Sequence, residues 1–369
     1  MKIDIFPRRS LLNPELWRPD AYASSFRAPG KLWLDKNENL DPSLLAFTSA
    51  LLRKMDALSL ATYPDLSLLY KSLANWVGVD KKSLLLTPGS DGAIRMTFEV
   101  FINERDAVIH TAPTFAMYPV YCQMFGATPQ PIEYRRGTNG PVLGLDSILM
   151  HIGRVRPRLV CLPNPDSPTG SVLAPDELKA VVDLCGRLGS IILVDEAYHP
   201  FYTHSCVKWT ENCPHLVVAR TFAKAWGLAG LRIGYLVGHP NTMQFFHKMR
   251  PMYEVGTLGA TVISQMLNHV DQMEASVDRL GAGKRYFVEE MNALGLSTIP
   301  TEGNFQHVAF GRHAENLHEV LDAKVLYRKD FKDECLRGYS RFSMTTVEQM
   351  RPIVESMRVA MIAGEGGCP

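Results

Sequence analysis

The sequence predicts an α/β fold, with a large domain built as a mostly parallel α/β/α sheet and a smaller α+β domain at the C-terminal end. Three observations carry this expectation. The chain has 369 residues, more than one ordinary hydrophobic core holds and suited to a large domain plus a smaller one. Through its middle, apolar runs of strand length alternate with longer segments of helical period, the pattern of parallel strands joined by crossover helices. After Arg250 the alternation gives way to a long helical stretch and then to strands interleaved with two helices.

In chain order, the strand candidates are Ser83 to Leu86, Ala107 to His110, Arg158 to Leu162, Ile191 to Val194, Leu216 to Ala219 and Ile233 to Val237. Each is a short apolar run of the kind a sheet buried on both faces requires. Helical segments lie at Gly92 to Phe101, Pro175 to Leu188 and Asn241 to Met249. The second opens with Pro175-Asp176-Glu177, a proline and two acids in the first turn, where free N–H groups and the helix dipole favour them. Past Arg250, one long helical stretch is expected from about Leu258 to Leu294. The alternation Phe305, His307, Ala309 follows, then a helix near Glu315 to Ala323, strands near Val325 to Tyr327 and Tyr339 to Ser343, and an amphipathic helix from about Val347 to Ile362. The expected division is an N-terminal arm, 1–40, contributing to the small domain and the substrate side; a large domain, 41–255; and a connecting helix with the small domain, 256–369.

Composition narrows the partners. Hydrophobic residues make up 46% and charged residues 21%, and 39 basic against 38 acidic side chains leave a net charge of +1. No basic field steers such a surface toward nucleic acid or an anionic membrane, so a small molecule is the expected partner. Seven scattered cysteines with no C-x-x-C pair argue against a disulfide framework and for a reducing cytoplasm. The first nine residues contain Asp4 and Pro7 where a signal peptide needs an unbroken apolar run, and no apolar run long enough to span a membrane follows. His199, His204 and Cys206 fit no familiar zinc spacing, so no metal is expected.

Chemistry is sought at the carboxyl ends of the strands, where open α/β sheets bind ligands. In Arg220-Thr221-Phe222-Ala223-Lys224-Ala225-Trp226-Gly227-Leu228-Ala229-Gly230-Leu231-Arg232, one lysine lies between a threonine and an arginine. An amine placed to condense with an aldehyde, beside a hydroxyl and a guanidinium suited to a phosphate on the same molecule, reads as a pyridoxal phosphate site. Thr87-Pro88-Gly89-Ser90-Asp91-Gly92 follows a strand and opens a helix, offering free N–H groups to that phosphate. The run Ile191 to Val194 ends in Asp195-Glu196-Ala197-Tyr198. A buried acid there needs a cation, and a protonated pyridine nitrogen is one.

These segments, with Asn164-Pro165-Asp166-Ser167-Pro168-Thr169-Gly170 and Leu34-Asp35-Lys36-Asn37-Glu38-Asn39, resemble fold-type I pyridoxal phosphate enzymes. They are most similar to the class I/II aminotransferase family that contains histidinol-phosphate aminotransferase, and the resemblance runs collinearly from about Tyr22 to Thr346. It implies Lys224 as catalytic base, Asp195 opposite the ring nitrogen and Tyr198 at the ring 3-oxygen. It further implies Ser90, Asp91, Gly92, Thr221 and Arg232 around the phosphate, Phe115 stacked on the ring, and Tyr63 donated to the neighbouring subunit of a homodimer. Arg341 would clamp the substrate α-carboxylate, Arg328 and Tyr22 would hold its distal end, and Asn37 would line the substrate side. Two positions depart from the family pattern: Ser167 stands where it has asparagine, and Ala223 where it often has serine. The implied activity is amino transfer between an L-amino acid or related amine and a 2-oxo acid. The alternative is a lyase or cyclase acting on a substituted amino acid such as a hydroxylated arginine.

Overall fold

The computed structural model describes residues 7–14, 16, 27, 30–329 and 331–365. In chain order the first elements are β1 (Leu32–Leu34), α1 (Pro42–Arg53), α2 (Leu58–Ala61), α3 (Ser67–Val77), β2 (Leu84–Thr87), α4 (Gly89–Phe101), β3 (Ala107–Ala112), α5 (Met117–Phe125) and β4 (Thr128–Glu133). A hairpin of β5 (Arg135–Gly137) and β6 (Gly140–Val142) follows, then α6 (Leu145–Val155), β7 (Leu159–Pro163), α7 (Pro175–Leu188), β8 (Ile191–Asp195), β9 (Leu216–Thr221), β10 (Gly234–Gly238) and α8 (Pro240–Met249). The chain closes with α9 (Thr257–Met266), α10 (Val270–Ala293), β11 (Ser297–Ile299), β12 (Phe305–Ala309), α11 (Ala314–Asp322), β13 (Val325–Tyr327), β14 (Tyr339–Ser343) and α12 (Val347–Glu365).

Seven strands form the main sheet in the order β2-β10-β9-β8-β7-β3-β4, and only β10 runs against its neighbours. Period-two alternation explains both faces. Leu84, Leu86, Ile192, Val194 and Val218 point into one core with α1, α3, α6, α7 and α9, whereas Leu85, Leu193, Val217 and Ala219 point into the other with α4, α5 and α8. The ends of β2, β8 and β9 at the carboxyl edge are therefore held from both faces.

The smaller unit has its own apolar cluster, in which Leu34, Phe287, Val308, Leu317, Val325, Phe342 and Val354 meet. Its strands β11, β12 and β14 form an antiparallel sheet, and β1 pairs in parallel with β13. Mutual backbone hydrogen bonds between Arg328 and Arg341 join the β13 side to β14.

Three features depart from the sequence expectation. The stretch from Leu258 to Leu294 is two helices, because the chain turns at Leu267 to His269 between α9 and α10. Apolar residues continue at helical spacing on both sides of that turn and hide it. The edge strand β4 went unrecognised because Pro129 and Pro131 lie in it and most of its side chains face solvent. The hairpin β5/β6 is too short and polar to show a period. No helix among the described residues is long and apolar enough to cross a membrane.

Candidate active site

Four strand ends and one helix start converge at the carboxyl edge of the sheet. The last residue of β8, Asp195, is buried, and its Oδ1 accepts the Ala197 N–H at 3.0 Å while its Oδ2 accepts the Tyr118 hydroxyl at 3.1 Å. Neither partner carries a positive charge, and no salt bridge to Asp195 exists among the described residues. Burial accordingly pushes its carboxyl up to about 6, against the two hydrogen bonds that favour the ionised form.

Lys224 follows β9 in an irregular turn and is partly buried, its Nζ donating to the Lys36 carbonyl at 2.7 Å. Its ammonium lies 5.8 Å from the centre of the Tyr198 ring. Burial, together with the positive charges of Arg341 and Arg232, pushes the amine down to about 8, with Glu38 and Asp195 opposing. A lysine so perturbed is mostly protonated at pH 7 but reaches its free-base form far more readily than an ordinary lysine.

Tyr198 is buried, and burial holds its phenol above the usual range. The phenol oxygen accepts the Asn37 side-chain N–H at 2.8 Å, and the Ser167 side chain hydrogen-bonds to the same group. Asn37, with φ of +56°, is pinned further by its own N–H donating to Ser343 Oγ at 2.7 Å and by its carbonyl accepting from Asn304 at 3.1 Å. Asn39, two residues on, donates to the carbonyl of Ala225, next to Lys224, and to Ser276 of α10. The Asn37-Glu38-Asn39 segment thus ties the small unit, α10 and the lysine turn together.

At the phosphate-like end, Gly89 begins α4 with φ of +75°, and a Cβ there would come within 2.9 Å of Arg232 Nη2. The Arg232 guanidinium therefore lies against the first turn of α4, where Ser90, Asp91 and Gly92 present their N–H groups. The closeness depends on Gly234, because a Cβ at that position would sit 2.5 Å from the carbonyl carbon of Gly89 and 2.7 Å from the Ser90 nitrogen. Thr221 is buried at the end of β9, its hydroxyl accepting the Ala223 N–H at 3.1 Å. The Asp91 carboxylate turns away from this pole and accepts the Tyr121 hydroxyl at 2.9 Å. Arg232 makes no ion pair among the described residues, so a guanidinium and a helix N-terminus converge here without an anion.

On the substrate side, Arg341 is 9% exposed, donates from Nη2 to the Asp35 carbonyl at 3.1 Å and lies over Phe305 at 5.3 Å, while its Nε has no partner. Arg328, its cross-strand neighbour, is exposed and lies 5.6 Å from the Phe331 ring. Phe305 also packs edge-on against Tyr198 at 5.3 Å, so one aromatic ring links the large-domain site to the arginines.

The expected residues Lys224, Asp195, Tyr198, Ser167, Asn37 and Arg341 are brought together, and Ser90, Asp91, Gly92, Thr221 and Arg232 form the adjoining pole. Phe115 is 37% exposed and meets Tyr118 edge-on at 6.2 Å, leaving its ring partly open. Tyr63 is not part of this cluster: it is 79% exposed and stacks on Tyr253 with ring centres 4.6 Å apart. Tyr22 lies outside the described residues. Sequence reading missed Tyr118, Phe305, Asn304 and Ser343. Tyr118 follows Phe115 by three residues after β3, and that one-turn helical spacing is the signal that could have drawn it in.

The donor set suits the group the sequence implies. A buried acid without a cation, an amine held partly neutral, and a guanidinium with free helix N–H groups match the ring nitrogen, aldehyde and phosphate of pyridoxal phosphate, respectively.

Comparison with known proteins agrees. The profile of the aminotransferase class I and II family matches residues 29–357. A histidinol-phosphate aminotransferase of Thermoanaerobacter sp. (strain X514) is 30% identical over 304 residues, covering 81% of this chain and 84% of that protein. The histidinol-phosphate aminotransferase 2 of Methylococcus capsulatus is 30% identical, covering 78% and 79%. Among solved structures, the histidinol-phosphate aminotransferase of Sinorhizobium meliloti in complex with pyridoxal 5′-phosphate superposes with a TM-score of 0.76 at 21% identity, covering 90% and 91% of the two chains. The chain belongs to the class I and II aminotransferases and is a pyridoxal phosphate-dependent aminotransferase.

Proposed function

We propose that this aminotransferase acts on an amine whose anionic group is a phosphate ester in place of the α-carboxylate, of the histidinol phosphate type, with a 2-oxo acid as the other partner. The observation that carries the proposal is the cross-strand pair Arg328 and Arg341, whose backbones exchange hydrogen bonds and whose positive charges act on one another, with no carboxylate in salt-bridge distance among the described residues. Guanidinium forks bind carboxylate and phosphate bidentately, and the unpartnered Nε of Arg341 leaves such a fork open. The relatives named histidinol-phosphate aminotransferase support the same substrate class.

The roles follow from chemistry. Bound pyridoxal phosphate supplies an aldehyde for the amine and a protonated ring that withdraws electrons from the substrate α-carbon. Asp195 would hold the ring nitrogen in its cationic form, offsetting the burial that disfavours its own charge. Tyr198, oriented by Asn37 and Ser167, would donate to the ring 3-oxygen. Ser90, Asp91 and Gly92 through their N–H groups, with Thr221 and Arg232, would hold the phosphate, and Phe115 would cover one ring face. Lys224, free of its proton above about pH 8, would take the hydrogen from the substrate α-carbon and return it to the cofactor side. Arg341 would clamp the α-carboxylate of the oxo acid or amino acid, with Arg328 and Tyr22 toward the distal end.

A homodimer with shared sites belongs to the same reading. Leu58, Leu60, Tyr63, Leu68 and Met252 are between 62% and 81% exposed, and large apolar side chains left this open support a covering partner. Tyr63 would cross to the other subunit's phosphate pole. The division into a large domain over 41–255 and a small one over 256–369, joined by the arm 1–40, is supported by the separate apolar cluster and the β1/β13 pairing. A cytoplasmic location is supported by six free buried cysteines.

The test is to supply purified holoenzyme with 2-oxoglutarate and either L-histidinol phosphate or L-histidinol. The phosphorylated amine should react at least a hundredfold better in kcat/KM, and Arg328→Gln should erase most of that preference. Equal use of both amines would overturn the substrate class. Ammonia release without an oxo acid would instead favour the lyase or cyclase alternative.

A further inference from the structure

The loop beside Asp195 carries a second buried acid, whose carboxyl feels the Asp195 charge. The loop after β7 leaves the sheet beside β8: Pro163 is in register with Asp195, and the Asn164 N–H donates to the Asp195 carbonyl at 2.9 Å. Two residues later comes Asp166, whose exposure is 0%. Its Oδ2 accepts two hydroxyls, Thr111 at the end of β3 at 2.7 Å and Tyr134 between β4 and β5 at 2.9 Å. Its Oδ1 has no partner. No salt bridge to Asp166 exists among the described residues.

The arrangement is uneconomical for a loop-fixing residue. An asparagine would accept the same two hydroxyls on its carbonyl oxygen at no cost of burying a charge. Backbone hydrogen bonds already close the loop, the Asp166 N–H to the Ser171 carbonyl at 2.9 Å and the Gly170 N–H to the Asp166 carbonyl at 2.8 Å. Two converging hydroxyl donors stabilise a negative charge, which points to electrostatics as the role of the acid.

We propose that Asp166 is a positioning residue acting through Asp195: its hydroxyl-stabilised negative charge, on the loop held against the end of β8, strengthens the hold of the Asp195 carboxylate on a cationic ring nitrogen. The inference rests on the pyridoxal phosphate site described above. It needs no bond made or broken, only a second negative charge in a medium where charges interact strongly. The groups facing Asp166 are Asp195 on β8, Tyr118 on α5, Tyr134 and, from the 3-10 turn at 334–336, Cys335; none is cationic. Burial pushes the Asp166 carboxyl up to about 7, opposed by the Thr111 and Tyr134 hydroxyls and the Ser167 N–H and reinforced by Asp195. Its charge is therefore present above neutrality and absent in mild acid.

The test measures the dissociation constant of pyridoxal 5′-phosphate for wild type and Asp166→Asn at pH 5.5 and pH 8.5. At pH 5.5 both proteins are neutral at residue 166 and should bind equally. At pH 8.5 the variant should bind about tenfold or more weakly, with the ratio changing near pH 7. Ring-nitrogen protonation in the holoenzyme, followed by 15N NMR of labelled cofactor, should persist to higher pH in wild type than in the variant. A weakening that is the same at both pH values would mean that Asp166 merely locks the loop, and a ratio of one throughout would mean that its charge is not felt; either result overturns the proposal. Tyr134→Phe, which removes one stabilising hydroxyl, should move the break to higher pH, and it carries the test if Asp166→Asn does not fold. Failure of wild type to bind the cofactor would instead refute the site itself.

Discussion

Replacing Asp195 with asparagine should have opposite effects on the empty and the loaded protein. In the empty site the carboxyl is raised from 3.8 to about 6, chiefly by burial. The sign follows from linkage: between these values the folded state holds a proton that the unfolded state has released, so stability falls as pH rises from about 4 to about 6 and stays at the lower level above. A shift of about two units corresponds to roughly 3 kcal/mol. Asp195→Asn removes this cost, so the cofactor-free variant should be more stable than cofactor-free wild type at pH 8, by up to about 3 kcal/mol, and nearly equal to it below pH 4. In the loaded protein the same side chain faces a cation, and the variant should lose cofactor affinity by about a hundredfold. Urea unfolding followed by circular dichroism, with and without cofactor at pH 5 and pH 8, reads both effects. The reasoning is refuted if the cofactor-free variant is less stable than wild type at pH 8, or if the variant loses the same stability in both forms.

Three further outcomes follow from the site geometry. In the cofactor-free protein, acylation of Lys224 should rise with pH around a midpoint near 8, and Arg341→Gln, which removes one of the two cations pressing on the amine, should move that midpoint upward; an unmoved midpoint would mean that burial alone depresses it. Mixed dimers of Tyr63→Phe and Lys224→Ala chains should regain part of the activity each parent lacks, because one site of the pair would then carry neither change, and no recovery from verified mixed dimers would put both residues in one chain's site. Gly234→Ala should cost about 1–3 kcal/mol through overpacking, since its Cβ would meet backbone and not a yielding side chain. It should also weaken phosphate-bearing ligands, which an equilibrium binding assay with inorganic phosphate and with pyridoxal 5′-phosphate checks.

By itself the sequence determined the strands that are buried on both faces and the residues at their ends. Runs such as Leu159 to Leu162 and Ile191 to Val194 are apolar throughout because each successive side chain enters one core or the other, and a polar residue closing such a run, like Asp195, stands out against it. Lys224, Thr221 and Arg232 were legible for the same reason, being close in sequence and framed by apolar neighbours. The turn between α9 and α10 was not, since both helices bury apolar faces and the break carries no proline or glycine. Nor was the setting of Asp166: its partners Thr111 and Tyr134 are 55 and 32 residues away, and they meet it because β3 lies between β4 and β7 in the sheet. The pairing of Arg341 with Arg328 and the reach of Asn37 to Tyr198, 161 residues away, likewise depend on strand register and on how the small unit packs against the sheet. Side-chain type and local period are written residue by residue and can be read along the chain. Which distant side chains share a buried space is decided by strand order and register, because only the folded backbone sets the distances over which their charges and hydrogen bonds act.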